Sequence, residues 1–206
     1  MRHIVAALTH QNPLARTLTA AAIALGLWIL AWTGSYLFLS EGLLRTVMSA
    51  RVPDDILVSG PSLGATIFQW NLVFGMGAIA LGSLFAVGRL SLGYIAPWWW
   101  AIGYGVALGT NSFVLTVPGK LAPRLDIMWQ HIGAREILAY LLVAAALANI
   151  HFWKPRRWYD LTLRRVRGLR DLRMHSAELA FVAGGLVLLA WTASIEAAGV
   201  TAYLNR

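Results

Sequence analysis

The stretch Thr17 to Leu39 reads TLTAAAIALGLWILAWTGSYLFL, 23 residues without a charge, closed by Arg16 on one side and Glu41 on the other. A hydrocarbon core of about 30 Å takes roughly 20 apolar helical residues, so this run is long enough to cross a bilayer. It is too long for a signal-peptide core and no small-residue cleavage site follows it, so it reads as a membrane helix. The rest of the chain agrees. Of 206 residues 58% are hydrophobic and only 13% charged, too few to cover a water-facing surface. The apolar excess, the lack of a glycine period and a cysteine count of zero exclude disorder, collagen and disulfide-rich scaffolds.

Four further uncharged runs follow, giving expected spans at about 17–39, 63–87, 96–117, 137–153 and 179–195. Pro61 and Ser62 read as entry and cap of the second span. The expected fold class is therefore all-α: one membrane domain over 1–206, a polytopic bundle of five transmembrane helices. Of the 17 Lys and Arg, 11 fall on the side of the N-terminus and 6 on the other. Cytoplasmic loops accumulate these residues, so the N-terminus and the basic loop 154–173 are expected in the cytoplasm of a bacterial inner membrane. Trp98, Trp99, Trp100, Trp153 and Trp158 fit an interfacial belt on that side. Lys154, Arg156, Arg157, Arg164 and Arg165 mark a surface for anionic lipid. Trp158, Leu161, Leu169 and Leu172 would share one face if part of this loop were an amphipathic helix; the alternative is a solvated linker.

Chemistry of its own is not expected. Gly60-Pro-Ser62-Leu-Gly64 has the letters of a nucleophile elbow without the strand and helix that the motif needs. No zinc-binding H-E-x-x-H, phosphate loop or cysteine pair is present, and the histidines fall on opposite sides of the expected topology, so neither metal nor cofactor is expected. Nucleic acid is not an expected partner either, because no groove-reading module accompanies the charge. Polar residues in or beside the spans carry more information, since such side chains usually face other helices or a wet cavity. Asn71, Asn111, Glu136 and Glu196 fall at one depth on the side opposite the basic loop, with Arg135 as a partner charge. Gly103, Gly105 and Gly109 stripe the third span, and Gly75, Gly77 and Gly82 the second, which argues for close helix packing first and for a homo-oligomer second.

With these residues in place the chain resembles the stage II sporulation protein M family of integral membrane proteins. Ile67-Phe-Gln-Trp-Asn71-Leu72 is similar to its aromatic and Asn entry to a Gly-rich helix, and Tyr104-Gly105-Val-Ala-Leu-Gly109 to its N-G-x-x-x-G element. His131-Ile-Gly-Ala-Arg-Glu136-Ile-Leu looks like its H-G-x-x-E-L segment, and Leu188-Leu-Ala-Trp-Thr-Ala-Ser-Ile-Glu196-Ala like its terminal A-x-x-I-E-A signature. Tyr104 replaces the family's Asn, and one extra residue separates His131 from Glu136. The resemblance implies a non-enzymatic scaffold that positions membrane or cell-envelope proteins, in spore formers the hydrolases that remodel the wall. It adds His131 to the polar cluster. Two other readings remain at this stage: a permease-like subunit working with a separate ATPase, and an accessory subunit of a larger membrane complex.

Overall fold

The computed structural model describes residues 2–45, 61–112, 119–131, 133–156 and 162–204. The chain is mostly helical. A short α1 (Arg2–Leu8) leads into α2 (Pro13–Phe38), which starts where Asn12 accepts the Leu14 N–H and Pro13 takes the first helical position, a combination that satisfies the exposed donors of a helix start. Next comes α3 (Pro61–Trp70), which passes through a π-helical turn, Asn71–Met76, into α4 (Gly77–Ser83). After a tight hairpin the chain forms α5 (Ile95–Gly109), then α6 (Leu125–His131), α7 (Ala134–Leu147) and finally α8 (Ser176–Leu204).

Among the described residues three helices are long and apolar enough to cross a membrane: Pro13–Phe38, Ser62–Ser83 and Ser176–Ala202. The other two expected spans are different objects. At about 1.5 Å per residue, α5 and α7 reach roughly 22 and 21 Å, short of the ~30 Å hydrocarbon core. They are also the more enclosed helices: Ala101, Gly105, Ala107, Leu108 and Gly109 of α5 are buried, as are Ala139, Tyr140, Leu141 and Ala144 of α7. The long helices keep many apolar side chains outward, Leu30 at 72% and Val187 at 69% exposure among them. Short helices inside and long ones outside is how a bundle can present apolar surface to lipid while packing a core of its own. The described part of α5 stops at Gly109, because Asn111 adopts φ 47° and closes the helix with a left-handed turn.

Packing follows small residues. A ridge of Ala20, Ala24, Trp28 and Trp32 at four-residue spacing runs along α2 and meets α5. A side-chain carbon added at Gly105 would stand 2.6 Å from the Trp28 carbonyl oxygen, and one at Gly109 would meet Ser35 and the Trp32 carbonyl. Gly103 has open space around it, so the close approach runs through Gly105 and Gly109 alone. A side-chain carbon added at Gly185 of α8 would likewise stand 2.9 Å from the Ala139 carbonyl oxygen of α7.

One end of the bundle gathers the basic residues. Ala86–Val87 and Leu90–Ser91 pair across the two-residue turn Gly88-Arg89, whose Gly88 takes φ 63°. Trp153–Pro155 pairs with Leu163–Arg165, and Phe152 and Trp153 both donate backbone N–H groups to the Leu84 carbonyl. Among the described residues of this loop no amphipathic helix forms: they make an antiparallel ribbon, with a 3-10 turn at Leu169–Asp171. Trp158, Leu161 and Arg157 lie outside the described residues. Of the tryptophans in the expected belt, Trp98 turns inward to donate to the Ala20 carbonyl and Trp100 packs on Tyr140, while Trp99 is 69% exposed.

Candidate functional site

The polar residues of the sequence sort into three places. In the middle of the bundle the Glu136 carboxylate, 8% exposed, accepts one hydrogen bond from the Tyr104 hydroxyl (2.7 Å) and one from the Tyr140 hydroxyl (2.5 Å). Three local features build this clamp. Tyr140 lies one helical turn after Glu136, so both side chains share a face of α7. Gly75, in the π-helical turn, leaves the room that Tyr140 fills, since a side-chain carbon there would stand 2.6 Å from its ring. Tyr104 is held flat by Trp28, with ring centroids 5.6 Å apart. Gly133 then starts α7 directly against Tyr104: its φ is 56° and an added carbon would stand 2.7 Å from the ring, so glycine is required for both conformation and space.

Glu196 lies on α8, outside the hydrogen bonds of this clamp. Its side chain is exposed, and it makes no hydrogen bond or ion pair among the described residues. Arg135 does not pair with either acid. Its guanidinium lies between two indoles, 5.9 Å from the Trp129 ring centre and 5.1 Å from that of Trp191. Asn71 opens the π-helical turn and is half-buried. The His131 side chain lies outside the described residues.

Asn111 belongs to a second place, where α5 ends. It is fully buried; its side-chain amide N–H donates to the Gly119 carbonyl, and its backbone carbonyl accepts two hydrogen bonds from Arg45. Arg45 also pairs with Glu41, and Gly119 donates to Glu41 in turn. Lys120 reaches back to the Tyr36 carbonyl at 2.7 Å, filling an acceptor that the end of α2 leaves open. These contacts tie the α2 exit to the α5 exit.

The third place is the basic end. Arg16, fully buried, donates to Glu178 at 2.7 Å, and Glu178 also accepts the His175 N–H at the start of α8. Arg16 closes the first uncharged run of the sequence, and nothing in the sequence pattern joins it to Glu178. The available signal was their sign: each is the last charge before a long apolar run. On the adjoining ribbon Lys154 stands directly across from Arg164, an unfavourable like-charge pair. Partial burial, then Arg167, Arg89 and Arg164, hold the Lys154 ammonium below its ordinary pKa of 10.5. Arg156, Arg164 and Arg165 are exposed.

Among the described residues no three His, Asp or Glu side chains are grouped to hold a metal ion. Comparison with known proteins finds no matching family model, curated protein or solved structure.

Proposed function

We infer that this chain is a non-enzymatic membrane scaffold or accessory protein whose central acid holds its own helices together so that the surrounding surface can receive partner proteins. The observation that carries this reading is the Glu136 clamp: both carboxylate oxygens are taken by tyrosines of the same chain, one from α5 and one from α7. A buried acid bonded in this way fixes how two helices meet and presents no lone carboxylate to a substrate. The resemblance to the stage II sporulation protein M family points the same way, toward positioning of envelope proteins in a bacterial inner membrane. In this reading α5 and α7 complete five passes as short helices enclosed by the three long ones, which take up the mismatch with the bilayer, and the basic end faces the cytoplasm, where Lys154, Arg156, Arg164 and Arg165 meet anionic lipid.

A permease-like reading has one observation in its favour, the exposed Glu196 of α8, which makes no hydrogen bond or ion pair among the described residues. The two separate in proteoliposomes. A scaffold predicts that Glu136→Gln lowers the unfolding midpoint, and that Glu136→Gln and Glu196→Gln leave proton and potassium permeability unchanged. A flux supported by the wild-type chain and lost in folded Glu196→Gln would replace the scaffold with transport. Topology is open to single-cysteine labelling, because the chain has no cysteine. Thr162→Cys is expected to react from the cytoplasmic side and Arg124→Cys from the opposite side.

A further inference from the structure

Arg135 differs from the cations that are paired around it. Arg16 pairs with Glu178, Arg45 and Arg124 have carboxylates, and Lys120 has a carbonyl. Arg135 has no hydrogen bond or ion pair among the described residues, and its Nε is buried without a partner. Its surroundings are nevertheless ordered: α6 supplies Trp129 and α8 supplies Trp191, and both rings lie on the guanidinium. Trp191 belongs to the apolar helix Ser176–Ala202 and lies four residues before the end of the expected span 179–195, so this charge is held against a membrane-crossing helix near one end of its span. A guanidinium at that depth is costly unless an anion meets it. Indole faces attract the cation but leave its N–H donors unfilled.

We propose that Arg135, Trp129 and Trp191 form a binding site for the phosphate of a membrane lipid. Access decides the source of the anion. Trp129 is 51% exposed and Trp191 52%, and Leu125 and Val187 on the same two helices are 65% and 69% exposed, so the site opens through apolar surface. An anion arriving that way needs an apolar body, and lipid acyl chains supply it by lying along α8. A phosphate offers two oxygens to the guanidinium fork, a geometry that lysine cannot match. The site goes beyond the scaffold reading and does not depend on it. It also lies apart from the Lys154–Arg164 ribbon, which would attract headgroups at the basic end.

Native mass spectrometry of the full-length chain in mild detergent tests the site, with dioleoylphosphatidylglycerol, dioleoylglycerol and inorganic phosphate as separate probes. The expected result is a phosphatidylglycerol adduct that dioleoylglycerol does not replace and inorganic phosphate does not displace. Arg135→Gln should lower its occupancy roughly tenfold, the scale of a lost charge-assisted pair. Arg164→Gln with Arg165→Gln should leave this adduct in place. Arg135→Lys keeps the charge without the fork, and Trp191→Leu removes one wall; each should weaken the adduct several-fold, which keeps the test informative if Arg135→Gln does not fold. Equal occupancy in wild type, Arg135→Gln and Arg135→Lys overturns the proposal. So does dioleoylglycerol binding as well as the phospholipid, which would mark a site for tails alone. Displacement by inorganic phosphate overturns the lipid as source and leaves a free anion.

Discussion

Glu178 and Glu136 are the two buried acids of the described bundle, 4% and 8% exposed, and their neighbourhoods differ in kind. Glu178, at the basic end, meets a fully buried arginine and a backbone N–H. Glu136, in the middle, meets two tyrosine hydroxyls and no cation. An ion pair at a helix end ties α2 to α8 through charge, and its worth depends on both partners being present. A hydroxyl-bonded acid ties α5 to α7 through one directional hydrogen bond from Tyr104, with the Tyr140 bond made inside α7, each of modest net worth. The first arrangement is strong to break, and the second is exact in geometry while cheaper to lose.

The largest expected effect follows from that contrast. Arg16→Leu leaves Glu178 buried and unpaired and should cost about 3–5 kcal/mol, read as the unfolding midpoint in mixed detergent micelles. Arg16→Leu combined with Glu178→Leu should recover most of that loss, because the uncompensated charge is gone. If the double variant is as unstable as the single one, packing around Arg16 rather than pairing holds the two helices, and the contrast with Glu136 fails.

Gly133→Ala comes next. It forces an L side chain into φ 56° and against the Tyr104 ring, so the expected cost is about 2–4 kcal/mol. The same substitution at Gly103, where space is open, should be neutral or stabilise by up to about 1 kcal/mol. Equal effects at both positions would show that the start of α7 does not depend on its approach to Tyr104. Below these lie Tyr104→Phe and Tyr140→Phe, each removing one hydrogen bond to Glu136 at about 1–2 kcal/mol. Because both hydroxyls meet one carboxylate, the double variant should depart from the sum of the singles, and strict additivity would argue against a shared clamp.

Much of this was legible in the sequence, and what was missed has physical causes. Uncharged length identified α2 and α8 directly, since hydropathy is a local property. It could not separate α5 and α7 from them, because a helix buried by protein and one facing lipid are both apolar. Depth along the spans groups Glu136 with Glu196, whose helices α7 and α8 pack against each other, and the tyrosine clamp holds Glu136 alone of the two. Depth groups Asn111 with them as well, yet Asn111 serves the end of α5, because depth says nothing about position around the bundle axis. Arg135 was expected to pair with an acid; as the residue before Glu136 on a helix it points about 100° away, toward Trp191. The Arg16–Glu178 pair joins residues 162 positions apart, and no spacing rule reaches that far.

The smallest effect lies at the basic end, where titration gives a handle that does not touch Glu136. Partial burial first, then Lys154, hold the His151 imidazole below its ordinary pKa of 6.5, outweighing its contact with the Ala148 carbonyl. The unfolded chain therefore takes up this proton at a higher pH than the folded one. Stability from His151 is present above pH 6.5 and declines as pH falls from there through the lower folded value. His151→Gln should flatten that part of the profile without changing the midpoint at pH 8. His151 is half-exposed, so the shift in midpoint should be small beside those of Arg16 and Gly133. An unchanged pH profile in the variant would mean that the ribbon opens before the bundle unfolds, which would separate the basic end from the Glu136 clamp as an independent unit of stability.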